Sequence, residues 1–292
     1  MTSFVKWVFG IVFGSVLTFS HAQEITGVAT YQSKTSFDTS RFGRELSEQR
    51  KKQIQERMRN FLEKEFTLSF TKEESFYKEE EQLSTPGGPG GGGFRFGSFS
   101  QGGIYKNIAQ NEYARENDLF GKIFLVKDTL NKLEWKLENE SKTIGQYPVF
   151  KATAVRKIDQ GGWGNFFRRG RGNRGNNASA SNDSTATAVE EPKEETITAW
   201  YTPMIPVGHG PDEFGGLPGM ILEISTSNTA ILCSKIVLNP KEEIIIEKPK
   251  NGKKVTREEY TKIATEKAEE MQERFSGQRG GGRGGRGGRF GG

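Results

Sequence analysis

The sequence predicts an α+β fold, predominantly β: an antiparallel meander sheet or open barrel, with one early helix and one C-terminal helix. Three observations predict it. Runs that alternate apolar and polar residues follow one another without helices between them, which favours antiparallel neighbours over crossover units. Two charged segments, free of Gly and Pro after Gly43 in the first and throughout in the second, carry apolar residues at three- and four-residue spacings. Residues 199–224, AWYTPMIPVGHGPDEFGGLPGMILEI, crowd Pro and Gly between two β-like runs. Proline fixes φ and glycine admits φ > 0, so that density specifies a loop of defined shape.

Residues 1–22 read as a secretory signal. Lys6 is followed by an apolar run to Phe19, and Ser20-His21-Ala22 sets small residues at the −3 and −1 positions before Gln23. The run is too short to cross a bilayer, which takes roughly 20 residues. No transmembrane segment is expected in the mature chain. Residues 23–275 are expected to form a single β-rich domain.

Residues 25–37, rich in Thr, Val and Tyr, suit a first strand. Residues 41–65 follow as an amphipathic helix, with Leu46, Ile54, Met58, Phe61 and Leu62 on one stripe. Phe66 to Phe70 alternates as a half-buried strand, and residues 73–82 extend it with acids. Residues 83–103 hold Pro86-Gly87-Gly88-Pro89 and more glycines, an insertion too poor in apolar residues to order itself. Residues 104–116, 119–126, 132–140 and 142–158 read as strands. A second low-complexity insertion covers 160–193, changing midway from aromatic and Arg/Gly-rich to Asn/Ser/Thr/Ala-rich.

Strands are expected again at 196–201, 220–225, 230–238 and 243–247. Asn251-Gly252 marks a turn. Residues 255–275 form the closing helix, with Thr256 as N-cap, Glu259 three residues on, and Ile263, Ala264, Ala268 and Met271 facing inward. Residues 276–292 are a Gly/Arg-rich tail, expected to be disordered.

The formal charge of +5 comes from the appendages, since the tail carries Arg279, Arg283, Arg286 and Arg289 and no acid. The near-neutral body supplies no global field for polyanions. Arg168, Arg169, Arg171 and Arg174 form a shorter version of the tail. Arginine in a glycine matrix with phenylalanines nearby is the composition of segments that pair with phosphate and stack on bases. These eight arginines are the candidate contacts for weak binding to anionic lipid or nucleic acid.

Cys233 is the sole cysteine, so no internal disulfide forms, and its apolar surroundings suit a buried structural thiol. His209 is the only histidine after Ala22. With Asp212 and Glu213 it falls short of the three or four ligands of a zinc site, and the trio reads as a solvent-facing charge cluster. No serine triad or nucleophile elbow accompanies it. A hydrolase would need His209 or a carboxylate pair. The expectation is a non-enzymatic protein with no catalytic residue, cofactor or metal.

The Gly, Pro and aromatic spacing resembles that of the GLPGLI family of secreted Bacteroidetes proteins. The resemblance rests on Trp135 and its neighbours, Ile144-Gly145-Gln146-Tyr147, Ala199-Trp200-Tyr201, Ile205-Pro206, Gly210-Pro211, Phe214, and Gly216-Leu217-Pro218-Gly219-Met220-Ile221 where the name motif falls. Met220 replaces a leucine of that motif, a volume-conserving change. The resemblance implies an exported protein of the periplasm or cell surface of a Gram-negative bacterium, often encoded beside TonB-dependent transport genes. Trp200, Tyr201, Pro206, Gly210, Pro211, Phe214, Gly216, Leu217, Pro218 and Gly219 are the candidate partner or apolar-ligand loop. Residues 216–221 are expected to be structural first, with Leu217 buried and Gly219 in a conformation that disfavours a side chain.

Overall fold

The computed structural model describes residues 25–36, 62–80, 99–157 and 194–280, with isolated positions 49, 52, 53 and 56. The expected signal peptide, the second insertion (160–193), most of the first, and the tail beyond Gly280 lie outside the described residues. So do Arg168, Arg169, Arg171, Arg174, Arg283, Arg286 and Arg289. Arg279 falls in the last helical turn, with only its backbone described.

The first half of the sheet is β1 (Gly27–Thr35), β2 (Glu63–Phe70), β3 (Glu74–Glu79), β4 (Phe99–Asn107), β5 (Glu112–Leu119) and β6 (Lys122–Thr129). The second half is β7 (Lys136–Ile144), β8 (Tyr147–Lys157), β9 (Glu194–Thr202), β10 (Met220–Ser225) and β11 (Thr229–Leu238). A short β12 (Lys253–Val255) and the helix α1 (Arg257–Gly280) close the chain.

All twelve strands share one sheet in the order β12-β6-β5-β4-β3-β2-β1-β11-β10-β9-β8-β7. The expected simple meander or open barrel is therefore wrong. The two antiparallel runs meet through β1 and β11, far apart in sequence, while consecutive β6 and β7 lie toward opposite ends. Among the described residues no pairing joins the terminal strands β7 and β12, and β12 pairs with β6 in parallel.

The early helix is also corrected. Among the described residues α1 is the one helix that stands as an element. Glu63 to Glu65, expected in the early helix, belong to β2 and pair with β1. The rest of that segment lies mostly outside the described residues, with helical backbone at Gln49, Lys52, Gln53, Glu56 and Leu62.

Local rules explain other differences. The acidic continuation after Phe70 is a separate strand, because Thr71 turns the chain by accepting the amides of Glu73 and Glu74. The run expected at 104–116 divides into β4 and β5 at a turn where Asn111 takes φ +53°, a conformation asparagine tolerates better than most residues. β4 begins at Phe99, inside the insertion expected at 83–103. Residues 243–247 form no strand. The expected capping box is present: Glu259 donates its amide to Thr256 Oγ1 at 3.1 Å, and Thr256 donates its amide to Glu259 Oε2 at 2.8 Å.

One face of the sheet carries the core. Ala29 and Tyr31 of β1 share it with Leu68, Phe70, Tyr77, Ile104, Tyr113 and Phe124 on one side, and with Ile231, Ile224, Ala199 and Ile197 on the other. Packed into the same cluster are Ile205, Val207, Phe214 and Leu217 of the Gly/Pro loop. α1 lies over β6, with Tyr260 edge-on to Phe124 at 5.8 Å and Ala264 and Ala268 buried.

Candidate functional site

The Gly/Pro loop leaves β9 at Thr202 and doubles back on itself before entering β10. The amide of Gly216 donates to the carbonyl of Gly208 at 2.9 Å, and His209 bridges Gly215 in antiparallel fashion. The amides of Met220 and Ile221, the first residues of β10, donate to the carbonyls of Ile205 and His209, each at 3.0 Å. The loop thus bonds directly to the start of β10. Gly219 makes the entry possible: its φ is +157°, and a Cβ there would overlap the carbonyl oxygen of Thr202. A Cβ on Gly210 would come within 2.9 Å of the Ile221 side chain.

Lys106 holds the loop from below. It lies on β4 at 2% exposure, and its Nζ donates to the carbonyls of Gly210, Asp212 and Phe214, each at 2.8 Å. An ammonium has three protons, and the loop takes all of them. Burial lowers its pKa from 10.5 to about 8, and the charges of Asp212 and Glu213 pull in the opposite direction. Sequence reasoning missed Lys106, since a lysine between Tyr105 and Asn107 carries no sign of burial.

Further contacts fix the rest. Trp135 donates its indole N–H to the carbonyl of Gly215 at 2.9 Å. Glu213 accepts from Arg257 at 3.0 Å and from Asn131 at 3.1 Å, tying the loop to the N-terminus of α1. The guanidinium of Arg257 sits 3.8 Å from the ring centre of Tyr113. Arg156 lies 5.7 Å from the ring centre of Phe214 and pairs with the buried Glu195 at 2.9 Å.

The expected solvent-facing cluster of His209, Asp212 and Glu213 is not what the fold makes. His209 is fully buried, 6.5 Å from Phe70 between ring centres, and neither ring nitrogen has a hydrogen-bond partner. Burial, assisted by Lys106, lowers its pKa from 6.5 to about 3, while the nearby backbone of Thr71 and Lys72 pulls weakly upward. Asp212 has φ +51°, and burial, then Glu213, raises its pKa. Burial also raises Cys233, to about 12. Among the described residues no group of three or more His, Cys, Asp or Glu gathers as for a metal ion.

The candidate loop residues divide by exposure. Tyr201, Gly210, Pro211, Phe214, Leu217 and Gly219 are buried, Trp200 is half-buried, and Pro206, Gly216 and Pro218 face solvent. Lys142 lies 4.2 Å above the Trp200 ring and pairs with Glu223 at 2.6 Å. Tyr201, Phe214 and Leu217 therefore fill the interior, and Trp200 lies under Lys142.

An open surface of mixed polar and apolar lining exists elsewhere, where β10 and β11 part. β11 pairs with β1 from Thr229 to Leu238, but with β10 only at Ala230, Ile231 and Leu232. A groove of about 420 Å³ lies beside the parting, between β11 and the β7–β8 turn. Ile144, Tyr147, Leu222, Leu232 and Ile236 supply its apolar lining, with Lys235 among its polar residues. Leu232 is 44% exposed. The one sequence signal for it is the unbroken apolar run Ala230 to Cys233, which offers apolar side chains to both faces of a strand.

A family model described as a protein of unknown function (Porph_ging) matches residues 135–223, which span β7 to β10 and the whole Gly/Pro loop. Two solved structures of PNGF-II, in space groups C2 and P21, resemble the chain at 15% and 14% identity with TM-scores of 0.47. They cover 84% and 83% of this chain, and the chain spans about a third (33%) of the length of each. A likeness at that level carries no argument about function. No curated protein matches the chain.

Proposed function

We propose that the protein is a non-enzymatic accessory of a Gram-negative envelope, of GLPGLI type, exported by cleavage near Ala22, that holds a partner or apolar ligand in the setting of TonB-dependent outer-membrane transport. The observation that carries the binding reading is the groove at the β10–β11 parting, an open surface with apolar lining from Ile144, Tyr147, Leu222, Leu232 and Ile236, whereas Ile205, Val207, Phe214 and Leu217 of the Gly/Pro loop are buried. Export and the transport setting rest on the sequence of residues 1–22 and on the GLPGLI resemblance. Binding belongs at the groove rather than at Phe214 and Leu217, which are 5% and 3% exposed and whose replacement by Asp would break the core. The test is titration of the mature chain with an apolar fluorescent probe. Saturable binding that Leu232→Glu abolishes, at unchanged thermal stability, supports the reading. Failure of the probe and of an extended apolar peptide alike to bind overturns it.

A second reading comes from the arginine tracts, which would contact anionic lipid or nucleic acid in a salt-dependent way. Its test is removal of residues 281–292, which leaves α1 intact. Binding to anionic vesicles or DNA that persists unchanged, or that is insensitive to salt, sinks it.

A further inference from the structure

The parting of β10 from β11 leaves one long side of a strand unpaired. β11 is bonded to β1 throughout, yet residues 233–238 have no second strand beside them among the described residues. At about 3.3 Å per residue this open stretch is roughly 20 Å long. Backbone groups left without partners on a sheet are a template for another strand.

The Gly/Pro loop is what keeps β10 away. The first two amides of β10 are spent on Ile205 and His209 of the loop, and the Ile221 carbonyl accepts the Tyr31 hydroxyl at 2.6 Å. β10 therefore starts its strand satisfied by the loop and by Tyr31, and meets β11 only from Glu223 onward. The turn at Gly145 and Gln146 stands across the gap as the opposite wall. The open edge thus results from the same backbone bonds that seat the signature loop.

The gap is dressed for a visitor of definite chemistry. Leu232, Val237 and Leu238 are 44%, 39% and 38% exposed along the strand. Lys235 is exposed in the groove and has no carboxylate partner among the described residues, whereas neighbouring Lys142 is paired with Glu223. Ser234 forms a bulge opposite Thr30 and Tyr31, with its hydroxyl on the Thr30 carbonyl at 3.2 Å. Bulges of this kind bend an edge and discourage indiscriminate pairing. A purely aliphatic ligand would fill the apolar part but bury the strand's polar backbone unsatisfied.

We infer that residues 233–238 of β11 receive an extended peptide strand from a partner protein, its apolar residues in the groove and a carboxylate beside Lys235. The inference rests on the binding reading above and names the partner's form. Main-chain hydrogen bonds supply the affinity, and the groove and Lys235 select the side chains.

The test titrates the mature chain with the peptide acetyl-Thr-Val-Glu-Val-Thr-Val-amide and with two versions N-methylated at alternate residues, one for each edge of the peptide. Strand addition requires one N-methylated version to bind at least about tenfold more weakly, since it loses two or three amide donors. It also requires Lys235→Glu to reverse the preference to a peptide with Lys in place of Glu. If all three peptides bind alike, the groove takes side chains without pairing backbone, and the inference is overturned while the binding reading stands. If no peptide binds but the apolar probe does, the result is the same. If neither peptide nor probe binds, both fall.

Discussion

Replacing Lys106 with methionine removes the ammonium that seats the Gly/Pro loop while keeping an unbranched side chain of similar reach. The ammonium makes three bonds of 2.8 Å to the carbonyls of Gly210, Asp212 and Phe214. Hydrogen bonds to a charged donor contribute about 1.5–3 kcal/mol each, so their loss costs roughly 4–9 kcal/mol. Against this stands the cost of burying the charge. Lowering the pKa from 10.5 to about 8 corresponds to a cost of about 3 kcal/mol, which the substitution removes. The net destabilisation is therefore about 1–6 kcal/mol, centred near 3. Urea unfolding at pH 7 measures it, with proteolysis of the folded protein reporting whether residues 203–219 become accessible. A Lys106→Met protein as stable as wild type, with its loop equally resistant to cleavage, would refute the clamp.

Three other outcomes are expected. His209 has a folded pKa near 3 against 6.5 for an unperturbed side chain, so the unfolded chain binds more protons between those values. Stability from this group is complete above pH 6.5 and falls by about 1.4 kcal/mol per unit as pH drops toward 3. His209→Leu should remove that slope, so parallel wild-type and variant curves from pH 7 to 4 would contradict the burial account. Gly219→Ala should lower stability by about 3 kcal/mol or more in thermal or urea unfolding, because the new Cβ meets the Thr202 carbonyl; a change below 1 kcal/mol would mean that the turn relaxes freely. Thr256→Ala should cost about 1 kcal/mol through loss of the cap, read by the same unfolding curves.

The parts of the fold legible in the sequence are those set by near neighbours. Met220 to Ser225 forms β10 between the loop and a turn, and Thr256 with Glu259 forms the cap, because each signal lies within a few residues of its effect. The order of the strands was not legible. Nothing in residues 27–35 says that their partner lies at 229–238, and that single pairing turns two meanders into one sheet. The turn at Asn111 lacks Gly and Pro, so β4 and β5 read as one run. At the site, the Gly/Pro density marked a loop of fixed shape, and Leu217 is buried as its motif implied. The polar residues inside were misread because the sequence does not show a lysine or a histidine being enclosed by strands far away. The open side of β11 escaped notice for the same reason, since it depends on where β10 leaves its neighbour.

Amide hydrogen exchange of the mature chain, resolved by residue, tests the central claim that the Gly/Pro loop is built into the sheet while β11 keeps an open side. The amides of Gly216, Met220 and Ile221, bonded to Gly208, Ile205 and His209, should be protected as strongly as the core pairs of β1 and β2. Between residues 233 and 238, amides turned toward β1 should be protected, and those turned toward the groove should exchange rapidly. Rapid exchange throughout residues 205–221, or uniform protection along residues 233–238 in the free protein, would contradict the account.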